Sequence, residues 1–142
     1  MQKKDTENLF AELEQDAKIE RFLSENREEF LRPLPEYLEQ LLAEKHLEKH
    51  TVIRESHLDR SYAYQIFSGR KENPSRPKLL ALALAMRLNL DETQYLLRYA
   101  GHGSLYPRNP WDSIIISAIG QGLSVMETNL LLEKLGETVL LQ

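Results

Sequence analysis

The sequence predicts an all-α protein, on three observations. The stretch LEKHTVIRESHLDRSYAYQIFSGRKENPS (47–75) reads as two short helices around a tight turn. The segment KLLALALAMRL (78–88) is apolar on nearly all sides, as a buried central helix must be. Residues 88–97 line up with 123–132 at an offset of 35, both copies reading as a helix, a short turn and a helix that ends at glycine.

Taken in order, the chain opens with one amphipathic helix over 6–23. Leu9, Phe10, Leu13, Ala17, Ile19, Phe22 and Leu23 fall at roughly helical spacing between acidic residues, with Thr6 or Asp5 as the cap. Residues 24–31 continue or restart it and stop before Pro33, since a residue preceding proline is pushed out of the α region. A new helix, PEYLEQLLAEK, starts with Pro35 in its first turn, where a missing N–H is harmless. Tyr37, Leu38, Leu41 and Leu42 make its inner face.

The next helix runs from Lys49 to Ser56 with Val52 and Ile53 inward. Asp59 then caps a helix from Arg60 to Ser68, because a short carboxylate accepts from backbone N–H groups two or three residues on. Ala63, Ile66 and Phe67 face the core of this helix, and Gly69 stops it. Pro74 to Pro77 lead into the apolar helix 78–88, and LDETQYLLRYAG (90–101) follows with Asp91 and Glu92 at its positive end. The linker GHGSLYPRNPW reads as an ordered connection, its Trp111 and Tyr106 serving as anchors against the helices or as the lining of a small-molecule pocket or a dimer seam. Residues 110–136 then repeat the hairpin of 75–101, for about seven helices in all.

A chain of 142 residues suffices for one compact domain with an appended helical module. No apolar run reaches 18 residues, the amino terminus MQKKDTENLF has no secretory core, and there is no cysteine, which together suit a cytoplasmic protein. The net charge of −4 is unevenly spread. Residues 1–44 hold 6 basic and 12 acidic side chains, 45–78 hold 8 and 4, and 79–142 hold 4 and 6. Positive charge thus collects on the two-helix stretch, the footprint of a phosphate-binding face.

Two helices joined by so tight a turn, the second carrying Arg60, Ser61 and Gln65 near its start, have the layout of a DNA-binding helix-turn-helix. Leu47, Val52-Ile53, His57-Leu58-Asp59, Ala63, Ile66, Gly69 and Pro74-Ser75 resemble the phage-repressor-like (Cro/C1, XRE-type) helix-turn-helix family. SYAYQIFSGR resembles its lambda-repressor variety. Three positions differ from that pattern: His57 stands where glycine is frequent, Ile53 and Ala63 reverse the usual sizes across the helix contact, and Ser56 replaces an apolar residue. The resemblance covers about 35–100. It implies a lambda-repressor-like five-helix DNA-binding domain (34–101), with an added N-terminal amphipathic helix (1–33) and a C-terminal helical hairpin (102–142). The implied partners are double-stranded DNA and a second copy in a homodimer on a two-fold site. The N-terminal or C-terminal helices offer surfaces for a further protein partner.

The same resemblance ranks the DNA-facing residues. Lys49 and His50 open the first motif helix, where backbone N–H groups favour a phosphate. Arg60 and Ser61 match base-reading positions, Arg being suited to a bidentate contact with guanine, and Gln65 lies one turn on. Tyr62 and Tyr64 flank them, one bonding phosphate through its hydroxyl, and Arg70 and Lys71 match a loop that reaches the backbone or groove. No active-site, cofactor or metal signature accompanies them. His46 and His50 share an i,i+4 spacing but lack a third ligand, there is no phosphate loop or nucleophile elbow, and Gly101-His102-Gly103 lacks a third glycine. Glu28-Glu29 read as a solvated face. The expectation is a transcription regulator and not an enzyme; the alternative is a protein-interaction adaptor, or an antitoxin, whose basic face binds an acidic partner.

Overall fold

The computed structural model describes residues 4–15, 18–27 and 32–142, and the chain divides into two compact units, Met1–Arg32 and Pro33–Gln142. All regular structure among the described residues is helical. None of these helices is long and apolar enough to cross a membrane.

In the first unit, two helices form where the sequence suggested one: α1 (Thr6–Gln15) and α2 (Ile19–Glu25). The reason is a slip in the apolar phase. At about 100° per residue, Leu9, Phe10 and Leu13 centre roughly 130° away from Ile19, Phe22 and Leu23, so one straight helix would point the two groups apart. Lys18, in extended backbone, marks the break. Asp5 rather than Thr6 caps α1, accepting from the Asn8 N–H at 2.8 Å. Buried Asn26 ends α2 and, with its Nδ2 donating to the Phe22 carbonyl, takes a hydrogen bond from Lys4, which also pairs with Glu12. Ala17 and residues 28–31, Glu28-Glu29 included, lie outside the described residues.

The second unit contains α3 (Leu34–Glu44), α4 (Lys49–Ser56), α5 (Arg60–Ser68), α6 (Arg76–Ala85), α7 (Leu90–Tyr99), α8 (Pro110–Gln121) and α9 (Val125–Lys134). This makes nine helices among the described residues, against about seven expected. At the centre lies α6, buried continuously from Leu79 to Ala85 and packed against α4, α7 and α9. It begins at Arg76, two residues earlier than the sequence suggested, because Pro77 fits its first turn. Opposite, α3 packs on α5 and stacks Tyr37 on Tyr99, with ring centroids 4.3 Å apart. Burial first, then the neighbouring Tyr95 and Glu44, pushes the Tyr37 hydroxyl up to about 12.

One helix corner occurs five times among the described residues: at Gly101 and Gly136, whose successors His102 and Glu137 donate to the Leu97 and Leu132 carbonyls, and at three further positions. His46, Arg87 and Gly122 take left-handed backbone at φ 55°, 58° and 68°. The next residue then donates its N–H to a carbonyl five positions back: Leu47 to Leu42, Leu88 to Ala83 and Leu123 to Ala118. His46 therefore sits at the end of α3 and His50 inside α4, so the i,i+4 pair does not share one helix face.

Correspondence between α6–α7 and α8–α9 runs deeper than the sequence alignment. Asn89 and Ser124 head matching capping boxes with Glu92 and Glu127. Thr93 and Thr128, both fully buried, donate to the Asn89 and Ser124 carbonyls. It continues past Gly101 and Gly136 into the loops: Gln94 accepts from the Leu105 N–H at 2.6 Å, and Asn129 accepts from the Leu140 N–H at 2.7 Å. The Nε of Arg76 donates to the Gly103 carbonyl, and 35 residues on, the Nε1 of Trp111 donates to that of Thr138.

Arg76 also locks the connection between the copies, with both terminal nitrogens 2.9 Å from the Asp112 carboxylate and a further bond to the Ser104 carbonyl. Leu105 is the buried apolar anchor of this segment together with half-buried Trp111, whereas Tyr106 is 57% exposed and anchors nothing with its ring. A buried backbone N–H–accepting site explains the difference: Tyr106 contributes its N–H to Asp112 and turns its ring outward. His102 Nε2 donates to the Pro74 carbonyl, closing the same region.

Burial pushes the Asp112 carboxyl up, but the Arg76 hydrogen bonds, the Tyr106 N–H and the Arg76 charge outweigh it and hold the pKa below the ordinary range. A depressed folded-state pKa stabilises the fold fully above the unfolded value of about 4, and this contribution is lost as pH falls through the lower folded-state value. We expect Asp112→Asn to lower the unfolding free energy at pH 7 by about 2 kcal/mol and to flatten its fall below about pH 4, both measured by urea titration. An unchanged acid slope would remove Asp112 from this role.

Candidate nucleic-acid interface

The turn between α4 and α5 consists of His57, Leu58 and Asp59. His57 takes φ 59°, so the position does require left-handed backbone, which His tolerates better than a β-branched residue. Ser56 is fully buried; its Oγ donates to the Ile53 carbonyl at 2.6 Å and accepts from the Leu58 N–H at 3.2 Å. An apolar residue at 56 would leave that N–H without this acceptor, which accounts for the serine. Asp59 caps α5 by accepting from the Tyr62 N–H at 2.9 Å. After α5, Gly69 at φ 86° donates to the Ile66 carbonyl, and the Lys71 N–H returns to that of Gln65.

Ala63, Ile66 and Phe67 fix one side of α5 to the core, leaving Arg60, Ser61 and Tyr64 exposed and Gln65 half-buried. Lys49, Arg60, Ser61, Tyr64, Gln65 and Arg70 come together around one open concavity of about 910 Å³, with Asp59, Phe67 and Ser68 completing its walls. The Arg60 guanidinium lies 5.9 Å from the centre of the Tyr64 ring, which holds it along the helix surface.

The other expected residues lie elsewhere. Tyr62 is half-buried against the core, with Lys78 Nζ 4.0 Å and Lys71 Nζ 5.8 Å from its ring centre, so it braces two cations on the flank facing α6. His50 joins Arg54, Arg60 and Tyr64 around a neighbouring recess of about 360 Å³. At the start of α4 the cap residue is Glu48, which pairs with the His50 ring at 3.2 Å, while Lys49 pairs with Glu39 and lies over Phe67. Two carboxylates therefore already stand at this helix end.

Of the eight basic residues between 45 and 78, Lys45 is bonded to Glu92, Lys49 to Glu39 and Arg76 to Asp112. Burial pushes the Glu92 carboxyl up, and the Asn89 N–H with Lys45 outweighs it to leave the pKa lowered. Arg54, Arg60, Arg70, Lys71 and Lys78 have no carboxylate partner among the described residues. Arg54 and Lys78 were not among the expected site residues. Arg54 was detectable from its i,i+4 relation to His50, while Lys78 was hidden in a segment read as core.

The chain matches no protein-family model, no curated protein and no solved structure.

Because the turn and cap hold α5 in place, we expect Asp59→Ala to lower the unfolding free energy by about 1 kcal/mol. His57→Gly should raise it by about 0.5–1 kcal/mol, because glycine adopts this backbone without a Cβ penalty. Urea midpoints measure both, and a destabilised His57→Gly would mean that the ring contributes more than its backbone costs.

Proposed function

We propose that this protein is a sequence-specific double-stranded DNA-binding transcription regulator of the phage-repressor-like, XRE type, with α3–α7 as a lambda-repressor-like five-helix domain. Helix α5 lies in the major groove, and the protein acts in the cytoplasm as a homodimer on a two-fold site, without enzymatic activity. The observation that carries this reading is α5 itself. Capped immediately after a three-residue turn, it offers Arg60, Ser61, Tyr64 and Gln65 to one open surface beside Arg70. Arg60 supplies paired donors for guanine, and Gln65 an amide that matches adenine. Arg54, Arg70, Lys71 and Lys78 supply phosphate contacts that set position without reading sequence.

An adaptor or antitoxin whose basic face takes an acidic protein partner is the second reading. It is supported by the carboxylates already seated on Lys49 and His50.

Fluorescence anisotropy on a randomised duplex pool, titrated with salt and followed by selection of bound sequences, separates the two. We expect steep weakening with salt and enrichment of a two-fold sequence. Arg60→Ala and Gln65→Ala should each reduce discrimination at one base position by roughly 5- to 150-fold. Arg70→Ala and Lys71→Ala should weaken all sequences alike and reduce the salt slope by about one each. Sequence preference unchanged in the Arg60 and Gln65 variants would remove α5 as the reading helix, and absence of binding at low salt would favour the acidic partner.

A further inference from the structure

The second copy of the repeat keeps open a face that α3 partly covers in the first copy, where Tyr95 is 45% exposed. In the first copy, α3 lies antiparallel to α7: Tyr37, early in α3, stacks on Tyr99 late in α7, while Lys45 at the far end pairs with Glu92 in the first turn. Tyr37 also meets Tyr95 at 5.6 Å. Thirty-five residues on, the positions of Glu92, Tyr95 and Tyr99 are Glu127, Leu130 and Lys134. These three line an apolar groove of about 550 Å³ between α8 and α9, together with Ile114, Leu123 and Leu131. Leu130 is 63% exposed, Leu135 55% and Met126 50%.

The order of side chains along α9 says what fits there. Glu127, Leu130, Leu131 and Lys134 follow the i, i+3, i+4, i+7 spacing of a single helix stripe. Its midpoint falls between Leu130 and Leu131. Reversal about that point exchanges Glu127 with Lys134, Leu130 with Leu131, and Met126 with Leu135. The Arg87 charge already favours the Glu127 carboxylate but makes no ion pair with it, so an occupant that adds a close cation to Glu127, as Lys45 does for Glu92, an anion to Lys134 and apolar side chains between them complements the stripe. An antiparallel copy of α9 supplies all three. Glu127 keeps one carboxylate oxygen on the Ser124 N–H in its capping box, leaving the other for that cation.

We propose that the α8–α9 groove is a two-fold self-association surface, its occupant a second copy of this chain. Antiparallel α9 helices seat Leu130 and Leu131 of each protomer at the axis, with a Glu127–Lys134 ion pair between protomers at either end. The closed two-fold arrangement satisfies both grooves at once, so association stops at two copies. It builds on the two-fold assembly of the proposed function by naming the surface. Its test contains no DNA, so the failure of one is distinguishable from the failure of the other.

Sedimentation equilibrium of the full chain reads the outcome directly. Wild type should sediment at twice the chain mass. Lys134→Glu, which leaves the capping box intact, sets like charges together at both ends and should raise the dimer dissociation constant at least about tenfold. Leu130→Asp, on an exposed side chain, should do the same without touching either ion pair. Glu127→Lys should self-associate as poorly as Lys134→Glu, and an equimolar mixture of these two variants should recover the two-copy mass, because only the mixed pair has opposite charges at both ends. Circular dichroism and urea midpoints establish that each variant is folded. A wild-type protein at one chain mass up to high micromolar concentration would overturn the proposal, as would a two-copy mass that neither Lys134→Glu nor Leu130→Asp disturbs.

Discussion

A helix buried from Leu79 to Ala85 has no face to give to water, and that constraint places the rest of the second unit. Leu79, Leu80, Leu82 and Leu84 together gain roughly 6–12 kcal/mol from burial, comparable to the net stability of about 5–15 kcal/mol typical of a whole domain. Such a segment must be surrounded, and α4, α7 and α9 surround α6 in different directions. The helix pair α4–α5 and the repeated hairpin α8–α9 are both part of this cover. Arg76, at the first position of the same helix, adds a directional tie to the nonspecific apolar one by gripping Asp112 and the loop carbonyls before it.

Features set by neighbours along the chain were legible in the sequence. The limits of α4 and α5, the Asp59 cap and the Gly69 stop depend on residues within one or two helical turns, and local chemistry decides them. The 35-residue repeat was visible too, because its capping residues and apolar positions recur in register. Features set across the chain were not. Arg76 and Asp112 are 36 residues apart, and no spacing rule joins them. In the first unit the apolar residues suggest one helix, but their phase slips at Lys18 and two helices form.

For the candidate interface, sequence counting overstated the free charge. Eight basic residues in one stretch suggested a uniformly positive face, yet three of them close internal ion pairs. Lys49, at the start of α4 where a phosphate is expected, already pairs with Glu39 on α3. Tyr62, expected to flank the base-reading positions, turns toward the core instead, because a helix presents only part of its circumference to solvent and residue 62 lies beside the buried Ala63 and Ile66. Arg60, Ser61, Tyr64, Gln65 and Arg70 remain as one contiguous patch, with the ion-paired Lys49 at its edge.

The two surfaces are mechanically linked. Helix α4, which leads into α5, and α9, which lines the groove, both pack on α6, within one compact unit. In the proposed pair joined through α9, the two α5 helices would be held at a separation fixed by packed cores, with no flexible linker between seam and α5. DNA offers equivalent major-groove faces only about 34–36 Å apart or at multiples of that distance, so a rigid separation is itself a filter on half-site spacing. Changing the register of the proposed α9 seam by one helical turn, about 5.4 Å along its axis, would displace one α5 relative to the other by a comparable distance. The charges at either end of the stripe oppose that slip, because any shifted register leaves Glu127 or Lys134 without its counterpart. Under the proposed function, positioning of α5 on a two-fold site would then depend on side chains far from Arg60 and Gln65.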